Sequence, residues 1–551
     1  MTGELTKVLL FAAVLAFPLS LAILWLYRSR VTRAMHRRAQ PGGGVADPLP
    51  APEPPPTGSL TITHADQAAA TPAPSADQLF TTLRQQPAHA AAIYAVAGLC
   101  YAGIMAAAAL RAMTGRLGPI SWLQLTWTLA WPAVLVVIMV AASSPPRRVR
   151  VVAVYFAVLL VLNGVALAKS PDLTALQLAV GWLAVNLPPS LLLALFLARP
   201  IRAVGPLVLA FLVVALAGVE GAVALAGRPG LLGGISEVAA ALHLNASLLF
   251  VGILAAGFAA LAPLGWLANR WLASGYARKR ISDQSVTVDA LWLVCGVEQA
   301  IVLFAGEASV WLAAFPVALA VYKAVTRIGF GALTRRESAQ APRLLLLRSF
   351  SLGSRSERLF DAVTLHWRHA GSVQLIAGPD LATTTIEPHE FLDFLRGRLA
   401  RRFIDGPVAM DRRFAEMDLA PDHDGRFRVN EFFCYDDTWR AVLQRLAAVS
   451  DVAVMDLRGF SRRHTGLAFE IQALIHTVEL PRILVLVDAS TDEAYLAEIA
   501  RDAWRTLPAD SPNRASASPT LRLFAAAGAH RAPLPLLRAI AAAARPATAA
   551  A

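Results

Sequence analysis

The sequence predicts an all-α polytopic membrane region followed by a cytoplasmic α/β domain with a parallel sheet. Three observations carry this prediction: the composition, a series of apolar runs long enough to cross a bilayer, and a change of pattern near Arg343. Of the 551 residues, 56% are hydrophobic and only 16% are charged, which is too apolar for an ordinary soluble protein of this length. After Arg343, short aliphatic runs alternate with amphipathic stretches, as is typical of α/β domains.

The first apolar run, Val8 to Tyr27, predicts a membrane anchor over residues 1–39. It is longer than the apolar core of a signal peptide, and five arginines follow it rather than precede it. Arginines beside a span stay in the cytoplasm, so the N-terminus is expected outside. These five residues are Arg28, Arg30, Arg33, Arg37 and Arg38.

Residues 40–87 are predicted to form a disordered linker. The part from Gln40 to Ala76 is rich in Pro, Gly and Ala and has no aromatic residue, so it cannot bury enough apolar surface to fold by itself. Its segment Pro52 to Pro56 is interpreted as a simple spacer, with a polyproline II site for a partner as the alternative.

The membrane domain is predicted over residues 88–336. A bilayer core requires about 20 apolar residues per helix, and six runs of that kind precede Val286. The stretch from Val286 to Val325 is interrupted by Gly306 and Glu307, which favours a tight hairpin of two spans over an interfacial helix pair. The six runs are Ala88 to Leu110, Ile120 to Ala142, Val151 to Ala168, Leu173 to Ala198, Gly205 to Ala226 and Ala246 to Ala268.

Nine spans place the C-terminal domain in the cytoplasm, and the basic residues support this orientation. Most Arg and Lys residues fall in the loops that would be internal, which indicates an integral protein of the plasma (inner) membrane. Polar residues inside the spans are few, and Glu298 is the deepest of them; its alternatives are a functional role, helix packing or a water-filled crevice. The predicted external segments hold only Lys7, Arg111, Arg116, Lys169 and Arg228.

The formal charge of +12 comes largely from these basic residues beside apolar spans. It therefore indicates topology and contact with a lipid bilayer, and since no nucleic-acid motif accompanies it, a nucleic-acid partner is not expected. The three cysteines, Cys100, Cys295 and Cys434, are isolated, so neither a disulfide framework nor a zinc site is predicted, and no metal or cofactor is expected. Cys434 is interpreted as a buried structural thiol.

The cytoplasmic α/β domain is predicted over residues 343–545. The segment Asp405 to Tyr435 interrupts the alternation and is interpreted as an inserted loop or hairpin. The predicted strands are Leu344 to Leu347, Val373 to Ile376, Val452 to Met455, Ile483 to Val487 and Leu521 to Phe524.

Polar residues follow several of these strands. In a parallel sheet the carboxyl ends meet at one edge, where open α/β sheets bind ligands. Neither GxGxxG nor a Walker motif occurs there, so a dinucleotide fingerprint and a P-loop are disfavoured. The candidate substrate-binding residues at this edge are Arg348, Ser349, Asp380 and Arg458.

The segment from Asp456 to Glu470 resembles the superfamily that joins nucleoside 2-deoxyribosyltransferases and TIR domains. The transferase pattern is an Asp at a strand end, a loop, and then Asp-x-Gly-Thr-x-x-Glu at the start of a helix. Asp456 matches the strand-end Asp, Gly466 the Gly and Glu470 the nucleophilic Glu, whereas His464 and Leu467 replace the second Asp and the Thr. The resemblance implies a flavodoxin-like (TIR-like) sheet, with Glu470 and Asp456 catalytic and Gly466 substrate-binding.

This resemblance implies a membrane-tethered sensor or signalling protein whose cytoplasmic domain binds or cleaves a nucleoside or NAD-type nucleotide. A carboxylate can attack or stabilise the oxocarbenium-like carbon of an N-glycosidic bond, which would make the domain a hydrolase or transferase. The alternative is a non-enzymatic membrane scaffold with a protein-interaction domain. Glu470 would then be a solvated helix residue, and Asp456 a helix cap or the ion-pair partner of Arg458. A homo-oligomer is compatible with both functions.

Overall fold

The chain forms two compact units in the computed structural model. The helical unit contains Met1–Tyr27, Ala90–Ala332 and Thr385–Leu395, and the α/β unit contains Arg28–His89, Leu333–Thr384 and Arg396–Ala551. The structure describes residues 2–36, 58–64, 74–141, 145–170, 172–196, 204–241, 243, 245–304, 313–334, 341–348, 354–377, 394, 399–435, 437–516, 518–526 and 533–544.

Among the described residues, eleven helices lie before Arg343 in the chain. They are α1 (Thr2–His36), α2 (Pro74–Thr114), α3 (Pro119–Leu129), α4 (Trp131–Val140), α5 (Pro145–Lys169), α6 (Ala175–Phe196), α7 (Gly205–Ala226), α8 (Pro229–Ala241), α9 (Ala246–Ala277), α10 (Asp283–Phe304) and α11 (Ala314–Thr334). Among the described residues, α1, α2, α5, α7, α9 and α11 are long and apolar enough to cross a membrane. Helices α3 and α4 are bent by 43° and together form a seventh candidate span.

These candidate spans confirm the prediction of a multi-span membrane protein. The described residues contain fewer candidate spans than the nine predicted. The predicted span Leu173 to Ala198 coincides with α6, whose described apolar part is the shorter segment Ala175–Leu187. The predicted hairpin corresponds to α10 and α11, and α10 does not qualify as a span. Gly306 and Glu307 lie outside the described residues.

Small residues bring α7 and α9 into close contact. A Cβ atom added to Gly257 would lie 2.6 Å from the carbonyl oxygen of Gly218, and one added to Gly218 would lie 2.3 Å from the carbonyl oxygen of Gly257. Helices in membranes associate through such close backbone approach, because apolar side chains gain little from leaving lipid for protein. The two glycines are therefore the contact that sets the distance between these helices.

In the described part of the α/β unit, eight strands form one sheet and all of them pair in parallel. The strands are β1 (Thr61–His64), β2 (Arg343–Arg348), β3 (Ser372–Ala377), β4 (Phe403–Ile404), β5 (Val429–Cys434), β6 (Val452–Asp456), β7 (Ile483–Val487) and β8 (Thr520–Ala525). The helices are α12 (Ser354–Trp367), α13 (Pro407–Ala415), α14 (Trp439–Val449), α15 (Thr465–Thr477), α16 (Glu493–Arg505) and α17 (Leu534–Ala543). The strand order is β1-β8-β7-β6-β2-β3-β5-β4, which confirms the predicted parallel sheet.

Both faces of the sheet are buried, as helix-covered parallel sheets require. Leu345 and Met455 belong to the core on one face, where α14, α15 and α16 pack. Leu344 and Val454 belong to the core on the other face, where α12 and α17 pack. The sequences of the central strands are therefore largely continuous apolar runs, which is why β2, β6 and β7 can be predicted.

The segment predicted as an inserted loop or hairpin contains α13 and the parallel strand β5, which pairs with β3. The hairpin prediction is wrong, because β5 joins the sheet as a parallel strand. The strand is missed in the sequence since it carries Asn430 and Glu431, two polar residues that are buried in the sheet. Their presence breaks the apolar pattern by which the other central strands are identified.

The prediction that residues 40–87 are a disordered linker is also wrong in part. Residues Thr61–His64 form β1, which extends the sheet beside β8, and α2 begins at Pro74. Leu60 is only 4% exposed within the core, and the Trp504 indole donates a hydrogen bond of 2.9 Å to the Gly58 carbonyl. The edge of β8 offers unpaired backbone groups that a short extended segment can satisfy, a gain that overall composition does not reveal. Residues 37–57 and 65–73 lie outside the described residues.

Candidate functional site

The chain changes direction across the sheet between β2 and β6. From β2 it passes to β3 on one side, and it later returns to β6 on the other side, so these two neighbours are separated by a crossover. Open α/β sheets bind ligands beyond the carboxyl ends of the strands at such a point. Arg348 and Asp456, the last residues of β2 and β6, are register partners there.

Asp456 is fully buried and its carboxylate is saturated with hydrogen bonds. The guanidinium group of Arg458 donates from Nε to Oδ1 at 2.7 Å and from Nη2 to Oδ2 at 2.6 Å. The hydroxyl group of Ser356, at the start of α12, donates to Oδ2 at 2.7 Å. Two-point pairing with a guanidinium group is the strongest ordinary arrangement for a carboxylate. The negative charge of Asp456 is therefore compensated inside the protein.

This geometry allows Asp456 to hold the Arg458 guanidinium group in place, and its catalytic role stays a prediction. Its oxygens already accept bonds from Arg458 and Ser356, and Arg458 is itself only 4% exposed. The interpretation of Asp456 as the ion-pair partner of Arg458 is confirmed. No local sequence pattern marks Ser356, because its contact with Asp456 joins residues 100 positions apart.

Glu470 lies on the buried face of α15 and is 7% exposed. Leu467, Ile471 and Leu474 of the same helix belong to the adjoining core. Its Oε2 atom is buried and accepts no hydrogen bond from the described residues. Burial raises the pKa of Glu470 to about 8, because water no longer solvates the carboxylate. Glu470 is thus not a solvated helix residue, and it is mostly protonated at pH 7.

The loop between Asp456 and α15 is held in place by β7 and by the start of α16. The Leu457 amide donates to the Leu486 carbonyl at 2.9 Å, and the Asp492 amide donates to the Phe460 carbonyl at 2.9 Å. The ring of Phe460 stacks on Tyr495 with a centroid distance of 5.5 Å. Gly459 has a φ of +71°, a conformation that favours glycine. The strand-to-helix connection is therefore a fixed structure.

Of the other predicted site residues, Arg348 and Gly466 belong to the part of the chain that the structure describes. Arg348 reaches the edge by backbone register with Asp456, and Gly466 lies exposed in the first turn of α15. No hydrogen bond or ion pair joins Glu470 to Asp456 among the described residues. Ser349 and Asp380 lie outside the described residues.

Two other polar features of the α/β unit are structural. Arg428 pairs with Asp422 at 2.7 Å and with Asp418 at 3.6 Å, but this network precedes the amino end of β5, opposite the edge at which the strands end. Cys434 is buried, and burial raises the pKa of its thiol to about 12, so it is a poor nucleophile. Within the described ranges, no group of three or more His, Cys, Asp or Glu side chains could hold a metal ion.

Comparisons of the chain with protein-family models, curated proteins and solved structures found no match.

Proposed function

We propose that this protein is a membrane-tethered sensor or signalling protein whose cytoplasmic α/β domain binds a nucleoside or NAD-type nucleotide, or cleaves its N-glycosidic bond. The observation that carries the proposal is the buried Glu470 carboxyl group, whose Oε2 accepts no hydrogen bond from the described residues. Burying a polar group without a partner is unfavourable, and such groups concentrate at functional sites.

The order of the sheet supports a flavodoxin-like, TIR-like identity. When β1, β4 and β5 are left out, the strands β2, β3, β6, β7 and β8 can be numbered one to five along the chain, and in space they follow the order two, one, three, four, five. This is the order of flavodoxin-like sheets, whose ligand site lies between the first and third strands. Those strands are β2 and β6, which end at Arg348 and Asp456.

The protonation state of Glu470 suggests how the site would respond to its ligand. A protonated carboxyl group can donate a hydrogen bond to a sugar or base, but it cannot attack an anomeric carbon. A ligand with a cationic nicotinamide ring, or a carbon developing oxocarbenium character, would lower the pKa of Glu470 and favour its charged form. Ligand binding and activation of the carboxylate would therefore be coupled.

The other residues at the edge would divide the remaining tasks. Asp456 and Ser356 would hold the Arg458 guanidinium group in a fixed position. Arg348, Ser349, Asp380 and Gly466 stay proposed contacts for the sugar or phosphate groups.

The proposal includes a place in the cell. The arginine asymmetry of the sequence supports a plasma membrane protein with an external N-terminus and a cytoplasmic α/β domain. The lipid bilayer is its structural partner, and no nucleic acid is expected.

Hydrogen–deuterium exchange on the full chain in detergent tests the location of the site. A panel of NAD, nucleosides and, as a control, free ribose 5-phosphate would be added at saturating concentration. We expect NAD or a nucleoside to slow exchange in the segments that follow β2 and β6, while helix α13 remains unchanged. The absence of protection with every ligand would contradict nucleotide binding and favour the alternative, a scaffold with a protein-interaction domain.

A further inference from the structure

The kink between α3 and α4 frees two backbone carbonyl groups inside the helical unit. Pro132 is the second residue of α4 and has no N–H group, so the Thr128 carbonyl loses its helical donor. The Ala133 amide donates to the Ala130 carbonyl at 2.9 Å instead of continuing the helical ladder to Leu129. We call residues Thr128 to Pro132 the α3–α4 break.

Side chains from three other helices donate hydrogen bonds to carbonyl groups in the break or directly before it. The Asn186 amide nitrogen, on α6, donates to the Thr128 carbonyl at 3.1 Å. The Gln299 amide nitrogen, on α10, donates to the Leu129 carbonyl at 3.3 Å. The Tyr155 hydroxyl group, on α5, donates to the Trp127 carbonyl at 3.1 Å. The break is thus the point at which four segments of the helical unit are joined by polar contacts.

These contacts fix the orientation of both amides. A carbonyl oxygen can only accept, so the nitrogen of each amide must face it and the amide oxygen is left over. Asn186 is 1% exposed and Gln299 is fully buried, and neither Asn186 Oδ1 nor Gln299 Oε1 accepts a hydrogen bond from the described residues. In an apolar interior, each such oxygen needs a donor or a cation to offset the loss of water.

We propose that the α3–α4 break binds a small monovalent cation of the Na⁺ type. Its ligands would be Asn186 Oδ1, Gln299 Oε1 and the second lone pair of the Leu129 carbonyl. All three are neutral oxygens, which suit a single positive charge, whereas sites for divalent ions are usually built with carboxylates. Carbonyl groups freed by a broken membrane helix coordinate Na⁺ in this way in secondary transporters.

Aromatic packing would keep the site dry and rigid. The ring of Trp131 lies 5.1 Å from that of Tyr155 and 5.4 Å from that of Trp182, measured between centroids. The Trp131 indole donates to the Ser190 hydroxyl at 2.7 Å, and the Trp182 indole donates to the Tyr155 hydroxyl at 2.9 Å. This site is independent of the nucleotide proposed for the α/β unit.

The test is the thermal unfolding of the full chain in detergent, followed by tryptophan fluorescence, while NaCl replaces choline chloride at constant ionic strength. We expect the unfolding midpoint to rise with Na⁺ and to saturate, because a ligand that binds only the folded state stabilises it. Asn186→Leu and Gln299→Leu should each weaken the apparent Na⁺ affinity by at least about tenfold. Asn269→Leu is the matched control, since Asn269 is a buried asparagine on α9, and it should retain the full response.

Binding of radioactive ²²Na⁺ to the wild-type chain provides a second readout that does not depend on how the variants fold. Saturable binding that unlabelled Na⁺ displaces supports the proposal. Equal unfolding midpoints in Na⁺ and choline, or the absence of saturable ²²Na⁺ binding, would overturn it and leave water as the partner of the two amide oxygens.

Discussion

At the scale of single residues, the pKa of Glu470 makes a prediction about stability. In the unfolded chain this carboxyl group ionises near its ordinary pKa of 4.5, whereas in the folded protein it stays protonated up to about pH 8. The folded state therefore binds the extra proton between these values, and wild-type stability falls as the pH rises, by about 1.4 kcal/mol per pH unit from this group. Glu470→Gln removes the dependence. In thermal unfolding, we expect the midpoint of Glu470→Gln to rise relative to the wild-type midpoint between pH 5 and pH 8. If the two midpoints changed in parallel with pH, Glu470 would not be buried as a neutral group.

The ion pair of Arg458 and Asp456 makes a second prediction at this scale. Arg458→Met leaves the buried Asp456 carboxylate without its cation, which should cost about 3–5 kcal/mol of unfolding free energy. Adding Asp456→Leu to that variant removes the uncompensated charge, so the double variant should recover much of the loss. Denaturant unfolding of the two proteins measures the difference. A double variant as unstable as Arg458→Met would show that the ion pair is not the main contribution of Arg458 to the unfolding free energy.

At the scale of secondary structure elements, β1 is expected to be a true part of the α/β unit. Leu60→Ala, immediately before β1, should lower the unfolding free energy by about 2–5 kcal/mol, as for other buried leucines. Leu419→Ala is the matched control in the same unit, because Leu419 is 43% exposed, and its effect should stay within about 0.5 kcal/mol. If the two variants were equally stable, β1 would be dispensable.

The elements also show which parts of the fold can be predicted from sequence. Strands such as β6 and β7 are apolar throughout and are identified correctly, because both faces of a parallel sheet are buried. Strand β5 is missed because Asn430 and Glu431 are buried in it, and β1 because its pairing with β8 joins residues far apart in the chain. Separation along the chain has the same effect at the site. The pair Asp456–Arg458, two residues apart, can be proposed from the sequence, whereas the contact of Asp456 with Ser356 cannot.

At the scale of the whole molecule, the arginine distribution predicts the topology. A reporter fused after Ala551 should be cytoplasmic and one fused before Met1 should be external. Accessibility of each reporter in intact cells is the measurement, and an external C-terminal reporter would contradict the predicted nine-span topology. Deleting residues 40–76 should leave both reporters on the same sides, but since it also removes β1, it should destabilise the α/β unit.

The most direct test of the proposed function compares three full-length proteins in detergent for binding and cleavage of NAD and nucleosides: the wild type, Glu470→Gln and Glu416→Gln. Glu416 is an exposed carboxylate of the same unit and serves as the control. We expect the wild type and Glu416→Gln to behave alike. If the wild type cleaves the N-glycosidic bond, Glu470→Gln should lower turnover by at least about a hundredfold, the scale expected for a catalytic carboxylate. Unchanged turnover in Glu470→Gln would remove this residue from the mechanism, and a wild type that neither binds nor cleaves any of these ligands would contradict the proposed function.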